Sequence, residues 1–218
     1  MTPPPASYLV ALRLAGRRCV VVGGGTVATS KVAGLLAAGA RVVVIAPEVT
    51  PALREQPVEI VARPYSAGDL SGCWFAVAAT GRAEVDRQVF AEAEAAGIYL
   101  NAADDPAACS AYLPAVVRHA PVTVAVSTDG TSPALAAVLR DRIAAAIGDE
   151  VGRVALVMGE ARAALRRAGR ASPGPGWRAL ADELLSRAGR GESGAELRGA
   201  ARAWVEAAHC PRGSGQGE

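Results

Sequence analysis

Four groups of residues in this 218-residue chain have the types and spacings that chemistry needs. The run Gly23-Gly24-Gly25-Thr26-Val27-Ala28 sets a G-x-G-x-x-A pattern directly after the apolar stretch Arg18–Val22. In that context Gly23 permits a tight turn and Gly25 lets backbone approach a pyrophosphate facing a helix N-terminus, while Ala28 is small enough for close strand–helix packing. The acid expected at the end of the second strand as ribose reader is absent; Glu48 lies slightly beyond it, after Ala46-Pro47, and reads either as an acceptor for ribose hydroxyls or as an exposed loop acid. No arginine stands immediately beside it to take a 2′-phosphate, which favours NAD over NADP. Thr80 and Asn101 close two apolar runs, and Asp104 and Asp105 follow the second; such strand ends line ligand crevices in α/β proteins and also make ordinary turns. A carboxylate there can take a proton while a nicotinamide takes a hydride, and a second one beside it can raise its neighbour's pKa. Finally, Ser127-Thr128-Asp129-Gly130-Thr131-Ser132 offers hydroxyls and N–H groups ahead of a helix, suited either to anion contact or to simple capping.

Positioning these groups requires a particular scaffold. From Arg17 to about Asp105, short β-branched runs alternate with helical segments, the pattern of repeated βαβ units around a parallel sheet. Strands are expected at 18–22, 41–46, 58–62, 73–80 and 98–103, with helices from the glycine loop to Gly39 and over Ala83–Ala96, the latter stopped by Gly97. Beyond Pro106 one further strand is expected at 122–127. A helix then starts at Ser132 as N-cap, with Pro133 behind it. Leu135, Val138, Leu139, Ile143 and Ile147 form a stripe along that helix, fit for a sheet or a second subunit. From Asp149 the chain reads helical, is broken by Ser172-Pro173-Gly174-Pro175-Gly176, and ends in a Gly-rich tail expected to be disordered. The expected class is α/β: a Rossmann-like parallel-sheet domain over 1–112, a small α+β segment over 113–148, a helical domain over 149–210 and a tail over 211–218.

Composition narrows the function. Apolar residues make up 51% and charged residues 20% of the chain, a globular balance. The net charge of +2 argues against recruitment by nucleic acid or a membrane surface. No stretch approaches the roughly 18 uncharged apolar residues of a membrane span, and the N-terminus has no basic region ahead of an apolar core, so a cytoplasmic protein is expected. Cys19, Cys73, Cys109 and Cys210 form no C-x-x-C pair and read as reduced thiols. The two histidines, His119 and His209, are too few for a His-rich iron site and read as surface residues, so no dedicated metal site is expected. Lys31 is the sole lysine beside 22 arginines.

Several segments, GGGTVATSKVAGLLAAGARVVVIAP, CWFAVAAT, NAADDP, SAYLPAVV and AVSTDGTSPALAAVLRDRI, resemble in order and spacing the precorrin-2 dehydrogenase/sirohydrochlorin ferrochelatase family, the module also found at the N-terminus of siroheme synthases. The resemblance covers about residues 7–150. It implies NAD-dependent oxidation of the tetrapyrrole precorrin-2 to sirohydrochlorin, a homodimer formed through the middle segment, and, in some members, insertion of Fe²⁺ to give siroheme. The family's essential aspartate falls on Asp104, and its cofactor-contacting positions on Thr26, Val27, Pro47 and Glu48, beside Gly23, Gly25, Thr80 and Asn101 from the residue reading. Ser127, Thr128, Thr131 and Ser132 are the candidate substrate contacts; Thr128-Asp129-Gly130 replaces the T-G-G or S-G-G run of some members, and the extra acid weakens the case for anion contact. Two other readings stand beside this one: a non-catalytic NAD(H)-sensing regulatory module, and an unrelated NAD-dependent oxidoreductase. The first would be expected to carry a helix-turn-helix, and the second a His, Lys or Tyr acid/base.

Overall fold

A computed structural model describes residues 7–103, 105–169 and 176–207. Asp104, His209, Cys210, Ser172–Pro175 and the Gly-rich tail therefore lie outside the described residues.

The described chain divides into two units, one running to Leu113 and including Asp129–Thr131, the other comprising Pro114–Thr128 and the chain from Ser132 onward. The first is built on a five-stranded parallel sheet of β1 (Arg18–Val22), β2 (Arg41–Ile45), β3 (Glu59–Val61), β4 (Phe75–Ala78) and β5 (Tyr99–Ala102), in the spatial order β3-β2-β1-β4-β5. The order reverses direction between β1 and β4, the switch point where the carboxyl ends of such sheets open a crevice. β1, β2 and β4 are runs of Val, Ile, Ala and Phe because both their faces are covered.

Alternation along the strands sorts the core into two layers. Val20, Val22, Ala76, Ala78, Leu100 and Ala102 pack on one face with Val89 and Ala93 of α3 (Ala83–Ala96). Cys19, Val21, Phe75 and Val77 pack on the other with Ala28, Val32 and Leu35 of α1 (Thr26–Ala37) and Leu53 of the short α2 (Pro51–Arg54). α3 occupies the span expected from the sequence and ends at Gly97 in the left-handed region. α2 was not expected: its four residues carry no apolar periodicity, and Thr50 at the N-cap with Pro51 behind it is its one signal. No helix joins β3 to β4. That crossover is instead tied down by side chains: Glu92 of α3 accepts from Gly68 N, Leu70 N and the Tyr65 hydroxyl, and Asp69 pairs with Arg63 through two contacts of 2.6 and 2.8 Å.

The second unit holds an antiparallel hairpin, β6 (Ala115–His119) and β7 (Val122–Val126), joined through a cis Ala120-Pro121 bond. Only β7 was expected; β6 ends in Arg118-His119 and lies close behind Pro114, which hid its period-two pattern. α4 (Pro133–Ala146) begins at Ser132, whose hydroxyl accepts from Leu135 N, and buries Ala136, while Leu135 and Val138 are 50% and 48% exposed. Ile147 lies just past the helix in extended backbone, off the expected stripe. α5 (Glu150–Arg167), α6 (Gly176–Gly189) and α7 (Gly194–Ala207) share a core of Val157, Leu165, Leu180, Leu184, Leu197 and Val205. His119 departs from its expected surface position: its side chain is 17% exposed, Nδ1 lies 2.8 Å from Asp149, and Nε2 is buried without a partner. The strand end carries it beneath the start of α5. No helix among the described residues is long and apolar enough to cross a membrane.

Candidate dinucleotide site

The three glycines that follow β1 have different reasons to lack a side chain. Gly23 sits at φ +125°, donates to Ile45 O at 2.9 Å, and a Cβ there would stand 2.2 Å from Ala79 O. A Cβ on Gly24 would stand 2.0 Å from Glu48 O, and its carbonyl accepts from Thr50 N. Both residues are thus demanded by backbone packed against backbone at the switch point. Gly25 differs: its φ of −81° suits any residue, and a Cβ built on it meets no atom within 4 Å. The space beside it is open.

Gly25 is the N-cap of α1 and supplies no side-chain cap, and the first turn holds no acidic residue. The first intrahelical bond is Thr29 N to Gly25 O, so helix geometry leaves the N–H groups of Thr26, Val27 and Ala28 without acceptors within the helix. Those donors and the positive end of the helix dipole face the open space, an arrangement that fits a pyrophosphate. Thr26 and Val27 are exposed at the same turn. Pro47 and Glu48 are exposed just after β2.

Thr80, past the end of β4, has its hydroxyl committed to Asp86 at 2.7 Å and accepts from Arg82 N at 3.0 Å, so it ties the loop after β4 to α3. Asn101 lies level with Val77 of β4 and faces the α1 layer, 7% exposed. Its Nδ2 donates to Ala111 O at 3.0 Å, which fastens the chain after β5 across the sheet, while Oδ1 is buried with no partner. Cys109 sits beside it: Ala102 N donates to its Sγ at 3.2 Å, and the thiol reaches the carbonyls of Ala102 and Asp105. Burial pushes this thiol's pKa up, the Asp105 charge adds to that and Lys31 opposes it. Asp105 is exposed and its Oδ1 accepts from Ala107 N at 3.1 Å in a local turn. Asp104 falls outside the described residues.

In the second unit, Thr128 Oγ1 accepts from Ser132 N at 3.1 Å and Ser132 Oγ from Leu135 N at 3.3 Å; both hydroxyls are helix-capping groups, and Ser127 is exposed. Thr131 is exposed and groups with the first unit. Among the described residues no cluster of three or more His, Cys, Asp or Glu could hold a metal ion. Sequence reasoning missed the roles of Gly24 and Thr50, which join segments distant in sequence, and of Asp86 and Cys109, whose side chains bond within the loops that follow β4 and β5. The x position of the glycine pattern was the one available signal for Gly24.

Residues 10–115 match the family described as "Putative NAD(P)-binding", and residues 121–146 the family described as "Sirohaem biosynthesis protein central". The chain is 40% identical over 160 residues to a siroheme synthase of Methylobacillus flagellatus, covering 72% of this chain and 34% of the relative. It is 42% identical over 147 residues to that of Nitrosococcus oceani, covering 66% and 31%. The chain thus spans about a third of the length of the curated relatives it matches. A solved structure of SirC, a precorrin-2 dehydrogenase, shares the fold with a TM-score of 0.69 at 24% identity, over 92% of this chain and 100% of that one. The chain thus carries the NAD(P)-binding family followed in order by the sirohaem biosynthesis central family, and siroheme synthases align with it across both.

Proposed function

We propose that the chain oxidises precorrin-2 to sirohydrochlorin with NAD⁺ in siroheme biosynthesis. The observation that carries this reading is the open face at Gly25: a side chain would fit there, the protein leaves the space empty, and unpaired N–H donors of a helix start point into it. Gly25, Thr26 and Val27 hold the pyrophosphate, Gly23 shapes the turn, and Pro47 and Glu48 border the ribose. Thr80 and Asn101 set the segments that follow β4 and β5, on the nicotinamide side. The exposed Glu48 with no arginine immediately beside it favours NAD over NADP.

When bound, the dinucleotide supplies a hydride acceptor. Asp104 takes the proton that leaves the macrocycle as its C–H bond breaks, so that precorrin-2 and NAD⁺ give sirohydrochlorin, NADH and a proton. Ser127, Thr128, Thr131 and Ser132 are the proposed contacts to the substrate carboxylates. Insertion of Fe²⁺, where it follows, uses the macrocycle nitrogens and the same carboxylate as proton acceptor. The remaining organisation is a dinucleotide domain over 1–112, a dimerisation segment over 113–148 and helices over 149–210, in a cytoplasmic homodimer. The exposed Leu135 and Val138 support the placement of that interface.

Anaerobic incubation with enzymatically generated precorrin-2 and NAD⁺ tests the reading: NADH and the sirohydrochlorin spectrum should appear together. Asp104→Ala should remove turnover and leave NAD⁺ binding intact; turnover surviving within about tenfold would overturn the assignment of the base. NAD(H) binding without any tetrapyrrole oxidation would favour a sensor module. Fe²⁺ added to sirohydrochlorin tests insertion separately, and sedimentation of Leu135→Asp tests the dimer.

A further inference from the structure

The reading above leaves the chain's only lysine unused. Lys31 lies in the second turn of α1, partly buried, with no hydrogen bond or ion pair among the described residues. The rotation of α1 is fixed by Thr29, whose hydroxyl meets that of Thr50 at 3.0 Å on the β2 side of the helix. Two residues on, Lys31 is turned by about 200° and so lies on the opposite flank, toward β4 and β5. Helical side chains lean toward the helix N-terminus, which here is the carboxyl edge of the sheet. That flank holds Asn101, nine-tenths buried on the α1 face with an orphaned Oδ1, and its Nδ2 lies 3.8 Å from the sulfur of Cys109 in the turn that follows β5. Burial holds the Cys109 thiol pKa up, and Asp105 raises it further while Lys31 lowers it. A buried acceptor without a donor costs about 1–3 kcal/mol, and Lys31 is an ammonium on that flank with donors to spare.

We propose that Lys31 is a positioning residue: its ammonium is the donor for Asn101 Oδ1, and the pair clamps the turn after β5 that carries the acidic residue Asp105. The inference deepens the dehydrogenase reading and rests on it for its catalytic consequence only. Lys31→Met should lower kcat by about tenfold to a hundredfold, the cost of a slightly misplaced reacting group, with KM for NAD⁺ within about twofold. Lys31→Arg should restore most of the loss. Asn101→Leu should reproduce it, and the double variant should be no worse than either single one. Independently of activity, the pH dependence of Cys109 alkylation, followed on its peptide by mass spectrometry, should move to higher pH in Lys31→Met, because the lysine holds that thiol down.

An unmoved Cys109 titration in a folded Lys31→Met protein overturns the proposal, as do losses that multiply in the double variant. If the wild-type protein does not oxidise precorrin-2 at all, the functional reading fails. The thiol titration, and non-additivity of the two substitutions in thermal unfolding, then still decide whether Lys31 serves Asn101.

Discussion

The two ends of the five-stranded sheet differ in what lines them. At the amino-terminal edge a hollow of about 320 Å³ is walled by Leu12, Leu14, Cys73, Trp74 and Tyr99, with Arg13 at its rim. Arg17 lies over the Trp74 ring at 3.7 Å, and Trp74 and Tyr99 are 51% and 56% exposed. The carboxyl edge offers less enclosure, and it presents a helix start with unpaired donors, two glycines pressed against neighbouring backbone and one facing open space. Volume and chemistry therefore separate in this molecule. A dinucleotide is gripped along its length by backbone N–H groups, which need close approach rather than a deep cavity; the apolar hollow has shape and one cation but no converging donors.

Breaking each edge in turn should expose the difference. The largest effect is expected from Gly23→Ala, where a methyl 2.2 Å from Ala79 O and a φ of +125° together cost about 3 kcal/mol. Chemical denaturation of the first unit should show it, and a loss under about 1 kcal/mol would mean the switch point yields easily. Gly25→Asp should come next, weakening NAD⁺ binding about a hundredfold, or about 2.7 kcal/mol, through bulk and like charge. Because its site is open, the melting temperature should stay unchanged; a large fall would show that Gly25 is structural after all.

A subtler effect concerns the β3–β4 crossover. The hydrogen bond from Arg63 holds the Asp69 carboxyl below its ordinary 3.8, against burial, and Ser66 N adds to it. A group with a depressed folded pKa contributes its stability above the unfolded value and loses it as pH falls through the folded one. Acid unfolding should therefore start at higher pH in Asp69→Asn, and identical acid titrations would show the pair to be idle. The smallest effect belongs to the hollow. Trp74→Ala should leave NAD⁺ affinity unchanged and cost less than about 1 kcal/mol, the worth of an exposed cation–π contact; a tenfold change in cofactor affinity would make the two edges one site.

The same contrast explains what could be read in advance. The glycine loop, the span of α3 and the Ser132-Pro133 start of α4 are local features, each written in neighbouring residues as a turn requirement, a periodicity or a cap. β6 escaped because Pro114 and Arg118-His119 break the short alternation that pairing with β7 makes sense of. His119 read as a surface residue because nothing adjacent announces Asp149, thirty positions on. Thr80 and Asn101 were legible as strand-end polar residues, whereas their partners, Asp86 and Ala111, are a product of the fold.

The sequence alone determined the alternation of strands and helices, the turn after β1 and the class of ligand it suits, since these depend on steric rules acting within a few residues. Tertiary structure decided which glycine serves the fold and which faces open space, because that depends on backbone arriving from β2 and β4. It also decided the company of Lys31. A lone lysine in a helix is only a charge until the rotation of that helix, set by a hydroxyl contact with Thr50, turns it toward a buried carbonyl that lacks a donor.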